Sequence, residues 1–376
     1  LARAGAARAS FVLILDCGEA SPLLPAFRLR RPAPPEVAEL ASALCLLLES
    51  LRGRSGGPAP ARAETHERGE GSPERILRVT YACNQRCPFC FLPHGGRPVA
   101  LADVERQLDA LAPELGAGGT LTLSGGEPAA DPRLVLIISA ARRRGLRRFA
   151  LQTNAVALSR PALLDRLISL GVSQYDVSFH SCLPATYDRL TGSRGLYPKA
   201  AAGLSALLAR PGCATTVCVL INALNYRELP HVPRFLAGLA RARGRRAARP
   251  PELAFSLLNG AGMSRAPELA VDLAFVAPYL RRALAACRRE GIAAQRFTGE
   301  TAPPPCLADD PAASAAEYDF PQEHIRRGGD FRGELGGIGR AKAAACAECP
   351  HDARCSGVPA EYARAFGLAA LGPGAA

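Results

Sequence analysis

From Ile76 to about residue 289, short apolar runs alternate with segments of helical period, and this alternation restricts the possible folds more than any other feature of the chain. Such a pattern describes βα units, in which each strand is returned to a parallel neighbour by a right-handed helical crossover. The first unit pairs a strand at Ile76–Tyr81 with a helix carrying Leu101, Val104, Leu108 and Leu111 on one face. Strands then recur at Thr120–Leu123, Arg148–Thr153, Tyr175–His180, Thr215–Ile221 and Glu252–Leu257. Helical patterns at 131–144, Pro161–Leu170, Pro198–Leu208, 227–240 and 270–289 separate and follow them. Pro161 can start its helix and Gly171 can cap it. Six successive units of this kind form an α/β fold, expected as a partial (β/α)6 TIM-like barrel.

The flanks differ in composition. Residues 1–51 hold a strand-like run, Phe11–Leu15, and a helix-like run, Glu36–Leu51, and read as an N-terminal appendage. Arg3 and Arg8 precede the first run, but five apolar residues ending at Asp16 are too few for a signal peptide core. Residues 52–73 are rich in Gly, Pro, Arg and Glu without an apolar period and are expected to be a linker. The barrel is assigned to 74–300 and a Cys-rich extension to 301–376.

In a barrel of this type, chemistry collects where strands end. The first strand runs into Cys83-Asn84-Gln85-Arg86-Cys87-Pro88-Phe89-Cys90, and the second into Ser124-Gly125-Gly126-Glu127-Pro128. The third ends at Gln152-Thr153-Asn154, the fourth at Ser178-Phe179-His180, and the fifth at Asn222. Three thiolates spaced C-x3-C-x2-C can point at one centre, and they leave one iron of a four-iron cube without a protein ligand. An open coordination position marks a catalytic rather than a structural metal centre. The alternative at this loop is a zinc site completed by His94, or three reduced thiols.

The cysteine spacing after a first strand, with Phe89 before the last Cys, resembles the signature of the radical SAM superfamily. The turn Gly125-Gly126-Glu127-Pro128, one βα unit later, resembles the same superfamily's Gly-Gly-Glu-Pro turn. The resemblance implies a [4Fe–4S] cluster on Cys83, Cys87 and Cys90 whose open iron is chelated by S-adenosylmethionine (SAM). Reductive cleavage would then yield methionine and a 5′-deoxyadenosyl radical. Phe89 offers an apolar face for adenine, and Glu127 an acceptor for the cofactor's amino group. Gly125 and Gly126 allow positive φ and close backbone approach to a ligand. Asn154 and Ser178 are placed to contact the carboxylate or ribose, as similar positions do in the family, or else serve as strand-end turn formers. His180 could touch substrate or shuttle a proton, or be a hydrogen-bonded structural histidine. The segment Thr186 to Gly195 resembles a loop of the peptide-modifying members.

The tail carries Cys346-x2-Cys349-x5-Cys355, with Cys306 upstream after three prolines. These four thiols are similar to the auxiliary-cluster extensions of the superfamily, of SPASM or twitch type, with too few cysteines for a full two-cluster SPASM domain. One extra [4Fe–4S] cluster is expected; a four-cysteine zinc staple, or His351 replacing Cys306, is the alternative. The other six of the 13 cysteines are scattered singly and read as small buried hydrophobes. A reducing cytoplasm suits both groups, and no apolar stretch is long enough for a membrane span.

The net charge of +12 would favour nucleic acid, but only Lys199 and Lys342 are lysines, in an Arg-, Ala-, Gly- and Pro-rich chain. That composition fits a GC-rich genome, and the clusters at 142–144 and 241–246 read as solvated faces. The expected partners are a peptide or small-molecule substrate and an electron donor such as a flavodoxin or ferredoxin. An RNA-modifying member of the superfamily and a non-catalytic iron–sulfur or zinc redox protein are the competing readings. The first lacks an RNA-binding appendage with interleaved aromatic and basic residues. The second gives the Gly-Gly-Glu turn no purpose.

Overall fold

The computed structural model describes residues 14–16, 26–28, 63–66, 74–92, 94–241, 250–296, 303–308, 340–352, 355 and 357–372. The chain divides into two compact units, Leu1–Gly57 and Pro58–Ala376. In the first, β1 (Ile14–Asp16) pairs antiparallel with β2 (Ala26–Arg28). The helix expected at Glu36–Leu51 lies outside the described residues.

The second unit is built on one sheet. Its strands are β3 (Ala63–His66), β4 (Glu74–Thr80), β5 (Thr120–Gly125), β6 (Arg148–Thr153), β7 (Val172–Ser178), β8 (Ala214–Leu220), β9 (Glu252–Ser256) and β10 (Ala293–Arg296). They hydrogen-bond in strict sequence order from β3 to β10, so the sheet is open rather than closed. From β4 to β10 every pairing is parallel, giving seven parallel strands, one more than the sequence pattern indicated. The additional strand β10 is four residues long and follows Gly291, too short a run to stand out by periodicity. β3 is antiparallel to β4 and falls inside the segment expected to be a linker, with Ala63 opposite Leu77 and His66 opposite Glu74. Its pairing with β4, a strand of seven residues, outweighs a local composition that favours loop.

The crossovers are α1 (Leu101–Leu115), α2 (Leu134–Arg143), α3 (Pro161–Ser169), α4 (Pro184–Thr191), α5 (Tyr197–Leu208) and α6 (Val232–Arg241). Beyond β9 come α7 (Gly260–Arg265) and α8 (Leu273–Glu290). The helices cover the sheet with one apolar face each. Val104, Leu108, Leu111 and Leu115 of α1 are buried at the spacing a core-facing stripe requires. One face of the strands is apolar, with Leu77, Val79, Leu121, Leu123, Phe149, Leu151, Val217 and Val219 fully buried at alternate positions, while the other face buries polar residues such as Arg78, Thr80, Thr122 and Ser124.

Several arginines marked as surface charge tie helix ends instead. Arg142 donates to the Leu170 carbonyl at 2.8 Å, and Arg144 to Asp109 at 2.6 Å. The second cluster is described only at Arg241, which pairs with Glu290 at 3.1 Å. The tail forms β11 (Arg340–Ala341), β12 (Val358–Pro359) and α9 (Ala360–Phe366), with β11 and β12 antiparallel. Among the described residues no helix is long and apolar enough to cross a membrane.

Candidate active site

The C-terminal ends of β4 to β7 converge on the cysteine loop, and the reasons are local. β4 stops at Thr80, and its partner β5 ends in two glycines. Gly126 donates its N–H to the Thr80 carbonyl at 2.7 Å, and Glu127 donates to the Ala82 carbonyl at 2.8 Å. A side chain at either glycine would collide with this seam. A Cβ on Gly125, whose φ is +129°, would lie 2.0 Å from the Thr80 carbonyl oxygen, and one on Gly126 would lie 2.2 Å from that of Ala82. The close approach that requires glycine is therefore to the base of the cysteine loop, not only to a ligand.

Glu127 is the pin of the rim. It is 1% exposed, and its two oxygens accept from the Thr153 hydroxyl at 2.6 Å, the Asn154 N–H at 2.6 Å and the Ala129 N–H at 3.0 Å. Burial pushes its carboxyl up to about 7, against the pull of those three donors. The ligand amino group expected here from the sequence would share a carboxylate that already accepts from the chain's own donors. Asn154 continues the seam, its amide donating to the Asn84 side chain at 2.7 Å inside the cysteine loop. Ser178, at the end of β7, is exposed, and its hydroxyl is open to a ligand.

The loop is also held from the far side. Gln85 is buried and donates to the Tyr187 hydroxyl at 2.8 Å, while the Arg86 N–H donates to the Thr191 carbonyl at 2.7 Å. Gly192 caps α4 with φ +54°, and a Cβ there would meet the Arg86 carbonyl oxygen at 2.3 Å. The Thr186–Gly195 segment thus serves as a buttress of the cysteine loop. Sequence reading missed Gln85 and Tyr187 as a pair, because a buried glutamine and tyrosine 102 positions apart carry no local signal.

Cys83, Cys87 and Cys90 are half-buried reduced thiols. Burial pushes all three up; Cys87 reaches about 12, raised further by the neighbouring charges of Cys90 and Cys83. Three thiolates in mutual electrostatic reach cannot coexist in a desolvated loop without a positive centre between them. That donor set suits a soft, thiolate-bound metal centre. Among the described residues, no three His, Cys, Asp or Glu side chains are already gathered as a closed metal-holding group. His94, the expected alternative ligand, has its Nε2 2.9 Å from the Cys87 carbonyl oxygen.

Phe89 meets the edge of His180, with ring centroids 5.2 Å apart at 82°. The Leu220 N–H donates to Nδ1 of His180 at 3.2 Å, which fixes the proton on Nε2. Burial pushes this imidazole down to about 4, so it is neutral at physiological pH. That geometry fixes the tautomer of the ring, with Nδ1 bonded to the backbone. Asn222 is fully buried and spends its side chain on its own turn, with the amide donating to the Leu220 carbonyl at 2.9 Å and the oxygen accepting from the Leu224 N–H at 2.9 Å.

In the tail, Cys306 is pushed up by burial first and then by the charges of Cys349 and Cys346. Cys306 lies on the turn Pro305–Leu307, Cys346 on the turn Ala344–Glu348 and Cys349 at the end of that turn, within electrostatic reach of one another but not gathered as a metal-holding group. Cys355 is not among the charges acting on Cys306; its sulfur accepts from the Gly357 N–H at 3.3 Å.

Comparison with known proteins gives this geometry a context. Residues 77–236 match the family described as the Radical SAM superfamily. The chain is similar to the PqqA peptide cyclase of Ruegeria pomeroyi, with 32% identity over 183 residues, 46% of this chain and 45% of the relative. It is similar to the GTP 3′,8-cyclase of a Synechococcus strain, with 34% identity over 134 residues, 34% of this chain and 38% of the relative. The chain thus spans less than half the length of these curated relatives. A solved structure of Streptococcus suis SuiB bound to S-adenosylmethionine superposes over 80% of this chain and 76% of that chain, with a TM-score of 0.47 and 13% identity.

Proposed function

Because residues 77–236 of this chain match the Radical SAM superfamily, we propose that the protein is a SAM-cleaving enzyme whose substrate is a peptide or protein side chain. The single observation that carries this reading is the cysteine loop. Three desolvated thiols within eight residues are sewn to a Gly-Gly-Glu turn at the open end of a parallel sheet. The family implies a [4Fe–4S] cluster and SAM. When bound, the cluster would supply the electron that splits SAM into methionine and a hydrogen-abstracting 5′-deoxyadenosyl radical.

The chain's own residues have separable tasks. Cys83, Cys87 and Cys90 would hold three irons, and Phe89 would wall one side of the adenine pocket. Gly125, Gly126 and Glu127 keep the cysteine loop and the ends of β5 and β6 in register. Asn154 holds Asn84, and the exposed hydroxyl of Ser178 is free to bond the cofactor's ribose or carboxylate. The aromatic block of Phe179, Tyr187, Tyr197 and Phe235 keeps water out beneath the rim.

The peptide assignment is supported by the similarity to a PqqA peptide cyclase. Cys306, Cys346, Cys349 and Cys355 would hold an auxiliary [4Fe–4S] cluster, and a flavodoxin or ferredoxin would deliver electrons. The test is anaerobic reconstitution of the full chain followed by dithionite and SAM. Release of 5′-deoxyadenosine, lost in Cys87→Ala, supports the reading; intact SAM in the presence of a reduced cluster overturns it and favours an electron carrier.

A further inference from the structure

One contact between the cysteine loop and a distant part of the chain is marked by no sequence motif. Arg265, the last residue of α7, donates through one guanidinium nitrogen to two carbonyl oxygens of the loop, those of Cys90 and of Leu92, the latter at 3.1 Å. We propose that Arg265 is a positioning residue for the cysteine loop, holding its Cys90 corner and raising the reduction potential of the cluster bound there. The proposal rests on the reading that Cys83, Cys87 and Cys90 carry that cluster.

Arg265 is exposed, and an exposed arginine on a mobile support would position nothing. Its support, however, is fixed at both faces. Asn259 caps α7 by accepting from the Gly262 N–H at 2.7 Å. On the loop side, a Cβ at Gly262 would lie 3.2 Å from the Phe89 carbonyl oxygen, so α7 packs backbone to backbone against the residue before Cys90. On the opposite side, a Cβ at Gly260 would lie 2.5 Å from a carboxylate oxygen of Glu361 in α9. α9 is itself anchored, because the Tyr362 hydroxyl accepts from the Leu273 N–H at 2.9 Å and donates to Asp272 at 3.1 Å. One short helix is thus wedged between the loop and the cysteine-bearing tail, with its terminal cation against the carbonyl of a metal-ligand residue.

A fixed positive charge beside a thiolate-bound cluster favours the reduced, more negative state. Arg265→Gln removes that charge and keeps a hydrogen-bond donor; Arg265→Lys keeps the charge on a single donor nitrogen. The experiment is a redox titration of the anaerobic full chain, following the electron paramagnetic resonance signal that responds to SAM. The midpoint of Arg265→Gln is expected to fall, with Arg265→Lys staying near wild type and iron content unchanged in both. A wild-type midpoint in Arg265→Gln overturns the proposal, since a purely structural contact would not distinguish the variants by charge. Should Arg265→Gln lose its iron, hydrogen exchange on metal-free protein decides: faster exchange confined to 83–92 supports positioning, and unchanged exchange there overturns it. Absence of any SAM-responsive signal in the wild-type chain would instead overturn the underlying cluster reading.

Discussion

The two groups of cysteines are built in opposite ways. The rim group lies within eight residues: Gly126 and Glu127, just after β5, bond the strand end that feeds it, and Asn154, just after β6, Tyr187 and Thr191 from α4, and Arg265 from α7 bond the loop itself. The tail group spans positions 306 to 355 and is held by short turns with one exposed ion pair, Lys342 to Asp352 at 2.7 Å. A loop held by the core can keep a coordination position open, because its ligands do not depend on the metal for their place. Ligands drawn from distant turns need the metal to gather them, as in sites where binding and folding are coupled. The comparison therefore separates a loop whose backbone the core holds in place from cysteines spread over distant turns; under the proposed function the first would receive its metal on a fixed scaffold and the second would assemble with it.

The largest effect that could break this distinction is at Cys87. Cys87→Ala is expected to reduce 5′-deoxyadenosine release to background while iron remains on the tail, and iron analysis checks it. Loss of all iron would mean the two groups are not separate.

Next is the seam. Gly126→Ala forces a methyl group toward the Ala82 carbonyl and is expected to destabilise the barrel by about 3 kcal/mol in urea unfolding. Tyr187→Phe leaves the buried Gln85 amide without its acceptor and is expected to cost about 2 kcal/mol, with the loss read as faster hydrogen exchange at 83–92.

A smaller, pH-dependent effect sharpens the account of the rim. The Glu127 carboxyl is raised from 4.5 to about 7, so its contribution to stability is full below pH 4.5 and lost as the pH rises to about 7. His180 is lowered from 6.5 to about 4, so its contribution is present above pH 6.5 and lost as the pH falls to about 4. The two slopes oppose each other in the wild type. Unfolding of Glu127→Gln between pH 4.5 and 7 should show stability rising with pH, and His180→Asn should show it falling. The smallest effect belongs to the tail, where Lys342→Met should change stability by less than about 1 kcal/mol.

Much of this was legible in the sequence, for identifiable reasons. The βα rhythm rests on strands such as Leu121–Leu123 and Phe149–Leu151, which are buried throughout and carry large apolar side chains at alternate positions. The C-x3-C-x2-C spacing and the Gly-Gly-Glu turn are local, so their register along the chain carries over directly to the rim. What escaped was non-local or compensated. β3 lies in a Pro- and Gly-rich stretch and gains its state from pairing with β4. Gln85 and Arg265 act across 102 and 173 or more positions, where no period or motif links the partners. The structural role of Glu127 escaped because sequence shows a carboxylate at a ligand turn but not the three donors that surround it.

The central claim is that the rim loop alone carries a four-iron cluster with one position left for a ligand. The direct test is electron paramagnetic resonance on reduced, anaerobic protein in which Cys346 and Cys349 are replaced by alanine, recorded before and after adding SAM. The expected result is a [4Fe–4S]+ signal that changes shape on addition. A protein with no iron signal, or a signal indifferent to SAM, would contradict it.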